Sequence, residues 1–258
     1  MTQLLEKYLE FAKEIAWEAG KLTLGYFQAG VRPEWKDDDS PVTIADKQAE
    51  KLIRERIEAK FPSHAILGEE FEAKETADAS HRWIIDPIDG TKSFIRGVPL
   101  YGVLVCLEID GEAKVGVANF PALNEMVYAA EGLGCFLNGR RSRVSNIDTL
   151  DRAMMAHIDT ASFDRYAGKG EAFRKLSKAT YYNMGVCDAY AYALVATGRM
   201  EISCDPIVNS YDIAPFLPIM REAGGYCGDW NGNETIHAGE ALATTKTLLP
   251  QVLKVVNS

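Results

Sequence analysis

The chain has 258 residues, 47% of them hydrophobic and 25% charged, with a formal net charge of -9. That balance suits one large globular domain or two packed ones and excludes a disordered or membrane-embedded chain. The acidic excess argues against a nucleic-acid backbone as partner, which needs a basic surface, and admits a small phosphate only where divalent cations on clustered carboxylates reverse the local field.

From Thr2 to about Ala29 the residues Leu4, Leu5, Tyr8, Leu9, Ala12, Ile15, Ala16, Ala19 and Leu22 recur at three- and four-residue steps. This spacing predicts an amphipathic helix, ended by Gly30 and Pro33. Lys36 to Pro41 reads as a polar loop, and a second helix is expected from about Thr43 to Lys60, before Phe61-Pro62. Ala65 to Gly68 and Arg82 to Ile85 read as short strands with acids at their carboxyl ends, Glu69 with Glu70 and then Asp86. Gly102 to Ile109, Ala113 to Asn119 and Glu125 to Ala129, with tight turns between them and the hairpin signal Asn138-Gly139 after them, predict an antiparallel meander.

Beyond about Asn146 strands and helices alternate. A strand is expected at Ala153 to Ile158, helices near Ser162 to Lys178 and Asp188 to Thr197, and a strand at Met200 to Ser203. A helix from Asp212 to Ala223, stopped by Gly224-Gly225, precedes a strand at Ala241 to Thr244 and a last helix at Lys246 to Val256. The change of grammar divides the chain into subdomains 1–146 and 147–258. No opening basic-then-apolar segment and no long apolar stretch occur, so a cytoplasmic protein without membrane attachment is expected. The cysteines Cys106, Cys135, Cys187, Cys204 and Cys227 lack metal-ligand spacing and read as buried free thiols. His64, His81, His157 and His237 do not cluster in the sequence and read as surface or satisfied structural residues.

The segment Asp86-Pro87-Ile88-Asp89-Gly90-Thr91 carries the chemistry. Proline and glycine hold a turn that lets two carboxylates face one cavity, and the helix that follows offers N–H groups to an anion. Taken alone, an Asp-Pro pair with a later glycine is an ordinary turn. Its company points further: Lys36, Asp39, Thr43 and Asp46, then Gly68-Glu69-Glu70, then Asp212 opening a helix. Acids of this kind, without nearby His or Cys, suit magnesium.

These elements resemble those of the inositol monophosphatase family over nearly the whole chain. Asp86 to Thr91 matches its DPxDGT element, Gly68-Glu69-Glu70 its GEE element, Asp39 to Asp46 its DxSxVTxAD element, and Tyr211 to Ala214 its last element, with Tyr211 where tryptophan is usual and Pro215 where glycine is common. The resemblance implies a layered αβαβα sandwich of the α/β (α+β) class, a phosphoric monoester hydrolase, two or three Mg2+ per site, and a homodimer. It further implies metal ligation by Glu69, Asp86, the Ile88 carbonyl, Asp89 and Asp212, catalytic roles for Thr91, Asp46 and Glu70, and phosphate held by the N–H groups of Gly90 and Thr91.

Lys92 to Pro99, Gly185 to Tyr192 and Cys204-Asp205-Pro206 are similar to the histidinol-phosphatase branch, which acts on L-histidinol phosphate in histidine biosynthesis. Asp205 then stands where the family places an acidic substrate contact. Asp188 faces ligand or caps the next helix, Tyr190 is contact or core, and Arg96 binds substrate or pairs with a surface acid. The alternatives are an inositol-1-monophosphatase or broad sugar-phosphate phosphatase, and a non-catalytic metal-dependent binding protein.

Overall fold

The computed structural model describes residues 2–37, 39–76, 80–186 and 188–258. Helical spacing of apolar residues yields α1 (Thr2–Tyr26), whose Leu5, Leu9, Ala12, Ile15 and Ala19 are buried. The second helix, α2 (Ile44–Lys60), starts at Thr43, whose hydroxyl accepts from the Ala45 N–H while Asp46 accepts from the Thr43 N–H, a reciprocal cap. Between the helices the expected loop contains a small antiparallel ribbon, β1 (Glu34–Trp35) with β2 (Pro41–Val42). Lys36, Asp37, Asp39 and Ser40 of the polar run lie between its strands.

A seven-stranded sheet follows in chain order: β3 (Ala65–Gly68), β4 (His81–Asp89), β5 (Gly102–Ile109), β6 (Glu112–Phe120), β7 (Glu125–Ala130), β8 (Gly134–Leu137) and β9 (Arg140–Ser142). Only β3 and β4 pair in parallel; the remainder is the expected meander. The short helix α3 (Thr91–Ile95) leaves the end of β4.

The second sheet has strands β10 (Met154–His157), β11 (Tyr182–Gly185), β12 (Ile202–Asp205), β13 (Gly225–Gly228) and β14 (Ala241–Thr245), in the order β11-β10-β12-β14-β13. The edge strands β11 and β13 escape a sequence reading, since one is largely exposed and polar and the other opens on the glycine expected as a helix stop. The helix expected at 162–178 is two, α4 (Thr160–Phe163) and α5 (Lys169–Ala179), parted at Gly168, whose φ is 77°. The helix α6 (Tyr190–Ala196) comes next. The helix expected at 212–223 is also two, α7 (Ser210–Ile213) and α8 (Phe216–Ala223), because Pro215 has no N–H to continue the ladder. The last helix, α9 (Leu249–Val256), begins with Pro250 in its first turn.

Three apolar clusters order these elements into five layers. Leu9, Ile15, Ile53 and Trp83 join α1 and α2 to one face of the large sheet. Leu104, Ala118, Tyr192, Phe216 and Ala243 join its other face to α6, α8 and the small sheet. Met155, Leu176, Leu242 and Val252 join the far face of the small sheet to α5 and α9. Cys106, Cys135, Cys204 and Cys227 are buried free thiols, and Cys187 lies outside the described residues. Two histidines far apart in the sequence meet in the fold: His64, a satisfied structural residue, stacks on His81 with ring centroids 4.5 Å apart, and its Nδ1 accepts from Trp83 Nε1 at 3.1 Å. Among the described residues no helix is long and apolar enough to cross a membrane.

At one point the joint between α7 and α8 meets the large sheet closely. A Cβ at Gly116 of β6 would stand 2.1 Å from the Pro215 carbonyl oxygen, so the helix joint rests directly on the sheet. A Gly116→Ala substitution forces that joint away. The expected cost is about 1–3 kcal/mol, or a melting temperature lower by roughly 2–12 °C, readable by calorimetry. An unchanged melting temperature would mean that the joint yields freely.

Candidate active site

β4 does not stop before Asp86, as the sequence suggested, but runs on to Asp89, and its pairing with β5 shifts between those two residues. In a regular strand residues three apart point to opposite faces; the irregularity at Pro87-Ile88 lets both acids line one cavity of about 200 Å³. Gly90 then turns the chain into α3 with φ 82°, and a Cβ there would lie 2.7 Å from Asp188 Oδ2, so this glycine is required twice over.

Asp212 arrives from the opposite side on α7. Its Oδ2 accepts from the Asn209 N–H at 2.7 Å in a second reciprocal cap. Asp86, Asp89 and Asp212 each bring a carboxylate oxygen within 4.8 Å of the others. Asp86 also accepts from the Ile88 N–H at 3.0 Å, and Asp89 from the Ala189 N–H at 2.8 Å.

Burial raises all three carboxyls. Asp86 is pushed well up, with the charges of Glu69, Asp89 and Asp212 adding to burial. Asp89 rises in the same way, with Asp188 and Asp212 adding. Asp212 is pushed up to about 7 by burial, reinforced by Glu69 and Asp188. Such acids resist ionising together unless a cation joins them. The donors are hard oxygens, and no His or Cys belongs to the group among the described residues, which fits magnesium.

Around this centre stand the other predicted residues. Thr91 Oγ1 lies 3.1 Å from Asp46 Oδ1 and 3.0 Å from the Ile88 carbonyl, both acceptors for its one proton. Asp46 is buried at the start of α2, where its carboxyl is raised by burial against the hydrogen bonds from Thr43 and Thr91. Glu69 lines the cavity. Glu70 lies behind it, pushed up to about 7 by burial, and Lys36 bonds both acids, at 2.9 and 2.8 Å. Ser40, Pro41, Lys92, Asn209 and Tyr211 also line the cavity. Asn209 and the cavity role of Tyr211 escaped the sequence reading; a cap-forming asparagine three residues before Asp212 was the available signal.

The residues expected to touch substrate divide. Gly90 and Thr91 are on the wall. Asp188, at φ 50°, is also on it and does not cap α6, whose first residue has no side-chain cap. Asp205 is not on the wall: it is buried at the end of β12, bonded to Tyr192, pushed up to about 7 mainly by burial, and its Oδ1 has no hydrogen-bond partner. Tyr190 also stands off, with its hydroxyl 3.2 Å from Glu125 and its ring edge-on to Phe120. Arg96 is exposed beyond the end of α3. A second cavity of about 730 Å³ adjoins the first through Ser40, Lys92 and Asp188, and is lined further by Asp39, His157, Asp159 and Tyr166. His157, expected to be bland, is thus at a cavity wall.

With this geometry in hand, the likeness to known proteins is specific. The chain matches the inositol monophosphatase family over residues 4–258. It is 42% identical to a histidinol-phosphatase of Chlorobaculum parvum, covering 93% of each chain, and 35% identical to a histidinol-phosphatase of Mycobacterium tuberculosis, covering 97% of this chain and 98% of that one. Among solved structures it superposes on the Thermotoga maritima IMPase TM1415 with a TM-score of 0.88 and 31% identity over 97% of both chains.

Proposed function

Since the chain belongs to the inositol monophosphatase family and is a phosphoric monoester hydrolase, we propose that its ester is L-histidinol phosphate and its metal Mg2+. In this reading Glu69, Asp86, the Ile88 carbonyl, Asp89 and Asp212 would hold the metal. Bound there, the ions would neutralise the acids, draw charge from the phosphate and acidify the attacking water. The chain's own groups do the rest. The N–H groups of Gly90 and Thr91 hold the phosphate at the start of α3. Thr91 Oγ1, with its hydrogen directed to Asp46 Oδ1, presents a lone pair to the water and passes the proton on to that carboxylate. Burial, which raises Asp46, makes it a better acceptor.

The observation that carries the substrate is the adjoining cavity. Histidinol phosphate has an ammonium and an imidazole beyond its phosphate, and Asp39, Asp159 and Asp188 line this cavity as partners for charge-assisted bonds to them, beside the cations Lys92 and Arg165. Inositol has hydroxyls only. The expected kcat/KM for L-histidinol phosphate exceeds that for inositol 1-phosphate by about 100-fold or more on one preparation, since a site built for polar partners rejects what lacks them. Preference for the inositol ester would reverse the assignment, and phosphate release that persists in EDTA would remove the metal.

A further inference from the structure

The helix that brings Asp46 carries another buried carboxylate one turn on. Glu50 of α2 is fully buried. Its Oε2 accepts from the Glu70 N–H at 2.8 Å, and its Oε1 from the Phe71 N–H at 3.3 Å and from Arg54 Nε at 2.7 Å. Four residues apart, Asp46 and Glu50 share one helix face. Asp46 meets Thr91, and Glu50 meets the turn after β3 that carries Glu69.

Gly68 makes this approach possible. A Cβ there would fall 2.0 Å from Glu50 Oε1, so a side chain at this position displaces the carboxylate. Burying a charged acid is costly unless it is fully bonded, and here its bonds go chiefly to the backbone of the turn that presents Glu69 to the cavity. We propose that Glu50 is a positioning residue: it clamps the backbone just after Glu69, fixes that carboxylate on the cavity wall, and thereby sets the affinity of the acid cluster for divalent cation. This rests on the metal reading above.

The test uses Mn2+ as the sole ligand, with binding to the metal-free, full-length chain followed by electron paramagnetic resonance. Glu50→Gln keeps the size but turns an amide NH2 toward donors that need an acceptor. It is expected to weaken Mn2+ binding about 10–100-fold, the usual effect of losing a group that orients a ligand, while Ile57→Val, a core change on the same helix, leaves binding within about twofold. In turnover, the Mg2+ concentration for half-maximal rate rises by a like factor, with kcat at saturating Mg2+ within about threefold of the parent.

Glu50→Gln binding Mn2+ as tightly as the parent, or Ile57→Val weakening it equally, overturns the proposal. Should Glu50→Gln not fold, Gly68→Ala, which keeps the acid but drives it from the turn, bears the same expectation and the same refutation. A parent chain that binds no Mn2+ overturns the metal reading and this inference with it; a parent that binds, with the variants binding equally, overturns this inference alone.

Discussion

An Asp89→Asn protein is expected to lose about three orders of magnitude or more in kcat, and its metal-free form to melt at or above the temperature of the parent. The loss follows from the role proposed for Asp89: removal of one preorganised charge-stabilising donor in known enzymes already costs about 10²–10³, and a missing ligand weakens both ion and transition state. The second half follows from the fold. Asparagine keeps an oxygen that can accept from the Ala189 N–H, the bond now 2.8 Å long, so the link to α6 survives. It also removes an ionisable group whose charge Asp188, Asp212 and Glu69 all disfavour beyond what burial does, so no charge need be buried there as pH rises. The two readouts are steady-state kinetics at saturating Mg2+ and calorimetry in EDTA. Near-normal turnover would end the assignment of Asp89, and a melting temperature lower by several degrees would make the activity loss a folding defect.

How much of this was legible beforehand depends on the scale of the interaction. Local patterns were readable: the spacing of Leu5, Leu9, Ala12 and Ile15 gave α1, and α2 was expected from about Thr43 to the stop at Phe61-Pro62. The acids that gather at the cavity, Glu69, Asp86, Asp89 and Asp212, were all named from their motifs. Pairwise tertiary facts were not readable. That Asp205 turns to Tyr192 instead of the cavity, or that Tyr190 is taken by Glu125 and Arg199, depends on which way a strand end and a helix face are rotated in the assembled layers. Glu50 is the clearest instance. In sequence it is one more charge in a helix whose solvent face is full of them, and only the approach of Gly68 makes it a buried clamp.

The same crowding of acids predicts an unusual pH dependence. Stripped of metal, the protein is expected to lose stability as pH rises from 5 to 8, a range in which many proteins are near their most stable. Asp212 is pushed from its ordinary 3.8 up to about 7, so between those values the folded chain holds a proton that the unfolded chain has released. Its stabilisation is complete below about 4 and is lost as pH passes through 7; from pH 5 to 8 Asp212 alone removes on the order of 2–3 kcal/mol. For a chain of this size that is roughly 5–10 °C in melting temperature. Glu70 and Asp205, each raised to about 7, act in the same direction. The lowered carboxyls Asp159, Glu112, Glu171 and Asp229 act oppositely, but their stabilisation is lost as pH falls below the ordinary carboxylate range, outside this window. Divalent cation competes with these protons and binds the ionised cluster, so the gain in melting temperature from Mg2+ is expected to be larger at pH 8 than at pH 5. Differential scanning fluorimetry at both pH values, in EDTA and in excess Mg2+, measures all four corners of this cycle. A metal-free protein that melts higher at pH 8 than at pH 5 would show that the buried acids are relieved by something other than protons or a cation.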